Sequence, residues 1–363
     1  MTFSGSYESR DVTFLLRPVQ LAPTPVEEKE RLIQSGRRHY SELIGTESPP
    51  DDEYLALFRA AFDRNAHRLA HELVSLARAL SARPGRELVL VSLARAGTPI
   101  GVLLRRAAGM QGRRAVHYSI SIIRDRGIDE VALDHILERH APSDVVFIDG
   151  WTGKGAIAEE LERSVGRYAR GRGVVLDTSV VVLADLAGVA GLAATSEDYL
   201  IPSSILNATV SGLISRTILN EACVGPGEFH ACVHYEHLAP SDLSRWFVDA
   251  LTARIEAIRV EQAAPLSWTE AHRAGLRAVS AAFMAETQER WRIADPLRIK
   301  PGISESTRAL LRRVPDRLLL RDDDDTDVRH LVHLARRRQV AIELVPGMPY
   351  RAAAIIRATK GAE

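Results

Sequence analysis

The stretch VVFIDGWTGKGAIAEEL, residues 145–161, combines one acid, several glycines and a lysine in a pattern typical of anion binding. Glycines let successive backbone N–H groups point inward, and a helix predicted to begin near Ala156 directs the positive end of its dipole at the same point. Thr152 adds a hydroxyl donor and Lys154 a charge, while Asp149 can hold a ribose hydroxyl or a hydrated magnesium ion. The pattern predicts a phosphate-binding loop.

Two common nucleotide motifs are excluded here. A Walker loop ends in G-K-[ST], whereas Gly155 is followed by Ala156, and no glycine completes a G-x-G-x-x-G pattern. For this loop taken alone, an ordinary tight turn with a surface lysine remains the alternative.

Two further loops favour the anion-binding interpretation. SLARAGTP offers Arg95 and Gly97 for a second anion, and IRDRGID carries Arg124 and Arg126 on a loop that is predicted to close over a ligand. The planar arginine side chain donates pairs of hydrogen bonds to phosphate oxygens. Together the three loops predict a ligand with phosphates at both ends of a sugar.

The surrounding elements place these loops together. The apolar runs ELVLVSLA, AVHYSISII, DVVFID and SVVVLADLA alternate with helical patterns, which predicts a mainly parallel α/β sheet. Ligands of such sheets bind at the carboxyl ends of the strands, where all three loops lie. The predicted organisation is an N-terminal helical hood over 1–84, an α/β domain over 85–262, a helical linker over 263–295 and a small αβα domain over 296–363.

Several motifs resemble a known family. FSGSY, EKERLIQSGRRHYSE, HYSISIIRDRGID, FIDGWTGKGAI, YLIPSSILNATVSGLISRT and GPGEFH resemble the type I phosphoribosyltransferase-like family of tellurite-resistance and stress operons, which is also labelled cysteine protease StiP. The tail GISESTRALLRRVPDRLLL to VPGMPYRAAAIIR resembles the PELOTA-type RNA-binding domain. One departure is that Gly150 follows Asp149 where ordinary type I enzymes carry a second acid, so the ligand is either phosphoribosyl pyrophosphate (PRPP) bound differently or a related phosphorylated sugar or nucleotide.

The resemblance implies a phosphoribosyltransferase that acts with Mg2+ on PRPP, or a nucleoside monophosphate in the reverse direction, and a nitrogenous base. The implied catalytic residues are Arg95, Arg124, Arg126 and Asp149, and Asp149 is also the implied metal ligand. The predicted substrate-binding residues are Ala96, Gly97, Asp149, Gly150, Trp151, Thr152, Gly153, Lys154, Gly155, Ser211, Arg216 and His230.

Two other classes of function stay open. A thiol protease would use Cys223 or Cys232 with a nearby histidine such as His230, His234 or His237. The third class is a non-catalytic protein that senses nucleotides and binds RNA. In that class the basic residues of the tail domain, Arg312, Arg313, Arg336 to Arg338 and Arg351, would form an RNA-phosphate patch.

Composition sets the remaining expectations. The formal net charge is zero, which argues against a molecule that binds nucleic acid or membranes over its whole surface. Two cysteines form no disulfide framework and suit a reducing compartment. Because no signal-peptide or membrane-span pattern is evident, we expect a cytoplasmic protein, and we expect it to form homo-oligomers.

Overall fold

The four apolar runs predicted as strands form the centre of a seven-stranded sheet. The computed structural model describes residues 3–358, and its main sheet has the order β1-β4-β3-β7-β9-β10, with β8 also paired to β9. Every pairing within this sheet is parallel. Its strands are β1 Thr13–Phe14, β3 Leu88–Leu93, β4 Ala115–Ile120, β7 Val145–Ile148, β8 Trp151–Thr152, β9 Val180–Asp185 and β10 Leu192–Thr195. The expected α/β class with a mainly parallel sheet is confirmed.

Helices cover both faces of this sheet. The described helices are α1 Val26–Gln34, α2 Asp52–Ser81, α3 Gly97–Met110, α4 Glu130–Leu137, α5 Ala156–Arg172, α6 Ser244–Glu256, α7 Glu270–Arg290, α8 Ile303–Arg312 and α9 Arg329–Arg337. Buried side chains of α2, α3 and α6 share one apolar cluster, and those of α4 and α5 share the other. The sheet is therefore sandwiched, as buried parallel sheets require.

The long helix α2 shows why the predicted N-terminal hood differs from the structure. Asp51 caps its first turn by accepting a hydrogen bond from the Tyr54 N–H, and apolar residues at three- and four-residue spacing bury one face. That face packs on the main sheet through α3 and α6, so α2 is a layer of the α/β body. The part of 1–84 that reaches the strand ends is α1 and the irregular segment that follows it.

The chain also forms two small ladders beside the main sheet. The strands β5 Ile122–Ile123 and β6 Gly127–Ile128 pair as a hairpin that carries the arginine loop. The strands β2 Arg17–Pro18 and β11 Ala231–Cys232 pair in parallel. Residues 229–238 contribute the two strand residues Ala231–Cys232, and a six-residue 3-10 helix begins at Glu236.

The C-terminal domain is a second, four-stranded sheet between helices. Its strands are β12 Ile299–Pro301, β13 Pro315–Leu320, β14 Ala341–Leu344 and β15 Ala352–Ile356, in the order β12-β15-β13-β14. Leu318 and Leu320 pack in the cluster that contains α8 and α9, whereas Leu319 packs on the other face with Phe283 of α7. The helix predicted as part of a linker is therefore one outer layer of this domain.

Two aspartates, the half-buried Asp198 and the buried Asp327, join the C-terminal domain to the α/β body. Asp198 accepts hydrogen bonds from the Ile303 N–H at 2.9 Å and the Arg351 N–H at 2.8 Å. Asp327, which is 5% exposed, accepts from Asn65 of α2 and from the Leu200 N–H. Because each carboxylate is satisfied only when both parts are in place, they fix the relative position of the two sheets.

None of the helices within residues 3–358 is long and apolar enough to cross a membrane.

Candidate functional site

A large cavity lies where three parts of the chain meet. It has a volume of about 1110 Å³. Its walls come from the N-terminal segment around α1, the glycine-rich loop after β7, and the C-terminal domain from Arg292 to Arg313. The predicted phosphate-binding loop therefore opens into a chamber that the C-terminal domain helps to build.

The glycine-rich loop is shaped as the sequence predicts. Gly155 has a φ of 90° and directly precedes α5, which begins at Ala156. Gly153 lies so close to the C-terminal domain that a Cβ would come within 2.7 Å of Glu305 Cγ and 3.0 Å of the Pro301 carbonyl oxygen. The loop is thus in direct contact with the C-terminal domain, and only glycine fits at Gly153 without displacement.

The two polar side chains of this loop bind protein atoms. Thr152 donates to the Asp185 carboxylate, which also accepts from the backbone N–H groups of residues 187, 188 and 190. Lys154 Nζ donates to the carbonyl oxygens of Pro296 at 2.6 Å and Ile299 at 3.2 Å. Both were predicted to hold a ligand phosphate, and here they hold the loop to its neighbours.

Asp149 contributes a half-buried carboxylate to the chamber lining. Its Oδ1 accepts a hydrogen bond from the Gly150 N–H at 2.8 Å, and burial raises its pKa to about 7. Residues 3–358 contain no group of three or more His, Cys, Asp or Glu side chains placed to hold a metal ion. One carboxylate whose pKa is raised to about 7 does not supply the set of ionised oxygen ligands that the predicted Mg2+ site requires.

Arg95 is buried beneath the chamber rather than open to it. Its guanidinium donates to the Ile214 carbonyl oxygen at 2.6 Å and pairs with Glu47 at 2.5 Å, and only 4% of the residue is exposed. The neighbouring Gly97 begins α3 against the end of β7, where a Cβ would lie 2.5 Å from the Ile148 carbonyl oxygen. Arg95, Ala96 and Gly97 therefore form a tight turn, and Glu47 already neutralises the charge of Arg95.

The arginine loop between β5 and β6 docks on the N-terminal segment. The Arg124 N–H donates to the Tyr40 hydroxyl at 2.7 Å, and its guanidinium lies 5.5 Å from the Tyr40 ring. Arg126 pairs with Glu42 at 3.2 Å. Arg124 lines the chamber and Arg126 does not, so only one of the two predicted lid arginines faces the cavity.

The last three predicted substrate-binding residues, Ser211, Arg216 and His230, are dispersed. Arg216 lines the chamber and donates to the Leu43 carbonyl oxygen. Ser211 donates to the Asn207 carbonyl oxygen outside the main cavity. His230 also lies outside the chamber lining, where Nδ1 is 2.8 Å from Ser121 Oγ and the backbone N–H donates to Asp129 at 2.6 Å.

The two thiols differ in accessibility. Cys232 is completely buried, and burial raises its pKa to about 12, whereas Cys223 is half-buried, with burial raising its pKa by a smaller amount. Within residues 3–358 no hydrogen bond joins either thiol to a histidine. Burial therefore favours the thiol form of both cysteines, and of the two only Cys223 is partly open to solvent.

The sequence did not predict that the C-terminal domain and the segment around α1 would line the chamber. Glu305 accepts a hydrogen bond from Trp151 Nε1 at 3.1 Å and pairs with Arg308, whose guanidinium lies over the Trp151 ring. Lys29 and Lys300 also line the chamber. A signal was present, because lysine occurs at only four positions in the chain, and Lys29, Lys154 and Lys300 are three of them.

A family model and a curated relative identify the same family for this chain. Residues 5–252 match the family described as "Tellurite-like stress resistance cysteine protease StiP", and residues 278–358 match the "PELOTA RNA binding domain". A curated protein of Acinetobacter baylyi named "Cysteine protease StiP" is 45% identical over 367 residues, which cover 98% of this chain and 94% of that protein.

Similarity to solved structures is much weaker. A Trypanosoma cruzi hypoxanthine phosphoribosyltransferase variant complexed with the product IMP has a TM-score of 0.25 and 14% identity, over 39% of this chain and 70% of that one. A mutant structure from an analysis of an invariant aspartic acid in such enzymes has a TM-score of 0.27 and 13% identity, over 38% of this chain and 81% of that one. The predicted phosphoribosyltransferase activity is wrong, because the close curated relative and the matching family are both described as cysteine proteases.

Proposed function

Because the chain belongs to the family of tellurite-like stress resistance cysteine proteases, StiP, we propose that it hydrolyses peptide bonds with a cysteine nucleophile. The observation that carries this proposal is the 45% identity to the curated protease across 98% of the chain. Peptide hydrolysis by a thiol replaces the predicted transfer of a sugar phosphate. The side chains that line the chamber are therefore not part of the proposed catalytic step.

Cys223 is the proposed nucleophile, since a peptide substrate must reach the sulfur. Its residue is half-buried, whereas Cys232 lies completely inside the apolar core. The backbone around Cys223 is held by Arg17, whose guanidinium donates to the Cys223 carbonyl oxygen and pairs with Glu228 at 2.9 Å. This arginine also places a positive charge near the thiol, which lowers the Cys223 pKa against the effect of burial.

His230 is the proposed proton acceptor at the other end of the same loop. Ser121 Oγ occupies Nδ1 at 2.8 Å, which leaves Nε2 for proton transfer. The adjacent Asp129 carboxylate favours the protonated imidazolium, while burial lowers the His230 pKa. Since no hydrogen bond joins the two residues in the structure, the proposal requires the loop 223–229 to move when substrate binds.

The proposed reaction follows ordinary thiol chemistry. The Cys223 proton passes to His230, and the thiolate attacks the carbonyl carbon of the scissile peptide bond. The C–N bond then breaks, the leaving amine takes the proton from the imidazolium, and a thioester remains on Cys223. Water hydrolyses that thioester, which releases the second peptide product and restores the thiol.

The two cysteines provide a matched pair of variants for the test. Purified protein is incubated with fluorescently labelled casein and with a peptide mixture whose new N-termini are identified by mass spectrometry. We expect Cys223→Ser to abolish cleavage and to prevent labelling by fluorescein iodoacetamide, and Cys232→Ser to retain both. Cleavage that survives in Cys223→Ser, or no cleavage by the wild-type protein on either substrate, would overturn the proposal.

RNA binding is a second candidate, favoured by the PELOTA match over residues 278–358. The predicted arginine patch is only partly available, because Arg313 pairs with Glu30 and Arg351 pairs with Asp325 and Asp327. The exposed surface that supports the proposal is the end of α9, Arg336 to Arg338. We expect Arg336→Gln to weaken RNA binding and to lower its salt dependence in a filter-binding assay, and an unchanged salt slope would contradict this site.

Three further expectations from the sequence concern the chain path, the cellular location and the oligomeric state. We propose a type I phosphoribosyltransferase-like chain path for the α/β body, supported by its parallel sheet and the loop that enters α5. We also propose a cytoplasmic location, supported by two free cysteines, and a homo-oligomer. An experimental structure, cell fractionation and light scattering test these three in turn.

A further inference from the structure

The distribution of lysine identifies a second site in this molecule. Among 47 basic residues only four are lysine, and three of these, Lys29, Lys154 and Lys300, line the same chamber although more than a hundred residues separate each from the next. The fourth, Lys360, is outside the described residues. One lysine comes from each of the three parts of the chain that meet at the cavity.

Among residues 3–358, no carboxylate lies within 4.0 Å of these three ammonium groups. Lys154 Nζ contacts two backbone carbonyl oxygens, and Lys29 Nζ contacts the Arg312 carbonyl oxygen at 3.2 Å. Within the same residues, Lys300 Nζ makes no hydrogen bond or ion pair. Glu305 and Glu30 act on these cations only from a distance, and buried charges are ordinarily paired directly, so an anion is expected in this cavity.

Arginines add to the same excess of charge. Arg312 donates to the Asn207 side chain, and Arg216 has a buried NH1 group without a hydrogen-bond partner. The described residues that line the chamber include eleven Lys and Arg but five Asp and Glu. Such a surplus is costly in a partly enclosed space unless a ligand neutralises it.

The cations act on one another across the chamber. Lys154 repels Lys300 beside the glycine-rich loop, Arg216 and Arg312 repel Lys29, and Arg313 repels both Lys29 and Lys300. Burial, together with repulsion from neighbouring cations, lowers the pKa of Lys300 to about 7 and those of Lys154 and Lys29 to about 8. Several cations in one chamber favour an anion with several charges over a single phosphate.

We propose that this chamber binds a small molecule that carries a chain of phosphates, either free inorganic polyphosphate or a nucleoside triphosphate. The volume of about 1110 Å³ is at the upper end of small-ligand pockets and suits a ligand of this size. Because the walls come from all three parts of the chain, the bound ligand ties the C-terminal domain to the α/β body. This site is independent of Cys223 and of the proposed hydrolysis.

Thermal unfolding of the full chain tests the proposal, with inorganic triphosphate, ATP, adenosine and sodium sulfate compared at equal ionic strength. We expect triphosphate, ATP or both to raise the melting temperature, and adenosine and sulfate to have no effect. Stabilisation by triphosphate identifies the phosphate chain as the recognised group, and stabilisation by ATP alone adds the nucleoside. We expect Lys300→Gln and Lys154→Gln each to weaken the apparent affinity by about tenfold or more.

The control variant is Arg170→Gln on the exposed side of α5, which removes the same charge far from the chamber lining and is expected to bind as the wild type does. Amine acetylation followed by mass spectrometry gives a second measurement, in which ligand protects Lys29, Lys154 and Lys300. An equal response to sulfate, undiminished affinity in both lysine variants, or protection by single-stranded RNA but not by triphosphate would overturn the proposal. The Cys223→Ser variant is expected to bind normally, so failure here is separate from failure of the protease proposal.

Discussion

Lys300 is the residue whose environment makes the sharpest prediction about stability. Burial and the neighbouring cations Lys154, Arg313 and Arg124 lower its pKa from 10.5 to about 7, and Glu305 offsets this in part. Between pH 7 and pH 10.5 the unfolded chain therefore holds more protons than the folded chain, so the stability of the wild type rises with pH through this window.

We expect Lys300→Met to stabilise the ligand-free protein by on the order of 2 kcal/mol below pH 7, because the buried cation is removed. This gain shrinks as the pH rises and vanishes above pH 10.5, where both states of the wild type carry a neutral amine. Urea unfolding at several pH values measures it, with Arg170→Gln as the control. A gain that is independent of pH would show that packing, and not charge, explains the variant.

At the same scale, the sequence predicted some of the residues that line the chamber but not the contacts that they make. Asp149, Lys154, Arg124 and Arg216 were predicted and do line the cavity. Nothing local showed that Lys154 contacts carbonyl groups of the C-terminal domain about 140 residues later. Such contacts depend on how two domains pack, and a pattern of neighbouring residues does not contain that information.

At the scale of elements, the contact between the glycine-rich loop and the C-terminal domain depends on the absence of a side chain at Gly153. A Cβ there would lie 3.0 Å from the Pro301 carbonyl oxygen as well as 2.7 Å from Glu305. The glutamate can move, but the backbone carbonyl belongs to β12 and has little freedom. We expect Gly153→Ala to destabilise the protein by about 1–3 kcal/mol in urea unfolding.

Gly171 in α5 gives the matched control for this substitution. It lies in the helix that follows this loop, and among residues 3–358 no atom beyond its chain neighbours and the adjacent helix backbone lies within 4 Å of where its Cβ would be. Because alanine favours the helix over glycine, Gly171→Ala should be neutral or stabilising by up to about 1 kcal/mol. If the two variants behave alike, close packing at Gly153 is not the reason for its glycine.

The elements themselves were largely predictable, since periodicity reports burial directly. The three- and four-residue spacing of α2 and the apolar runs of β3, β7 and β9 appear as predicted. The sequence contains less information about how the N-terminal hood and the linker pack, because an amphipathic helix shows that it has a buried face but not which surface covers it. Only the packed structure assigns α2 to the main sheet and α7 to the C-terminal sheet.

For the whole molecule, the central question is how firmly the C-terminal domain is attached, since the chamber exists only when it is docked. Asp327 is the best single probe of this attachment. Besides Asn65 and the Leu200 N–H, its carboxylate pairs with Arg64 at 3.1 Å and Arg351 at 3.3 Å. Arg64 and Asn65 belong to α2, so the interaction connects the two sheets across their interface.

We expect Asp327→Ala to destabilise the protein by about 3 kcal/mol, because it leaves a buried amide, a buried backbone N–H and two cations without their common acceptor. Urea unfolding followed by circular dichroism measures the change. Asp323→Ala is the control, since that residue belongs to the acidic run just before Asp327 and is exposed, and it should alter stability by less than about 0.5 kcal/mol.

If the chamber depends on docking of the C-terminal domain, we expect Asp327→Ala also to reduce the stabilisation by triphosphate, although Asp327 contacts no lysine of the chamber. Full retention of triphosphate binding in this variant would contradict that dependence.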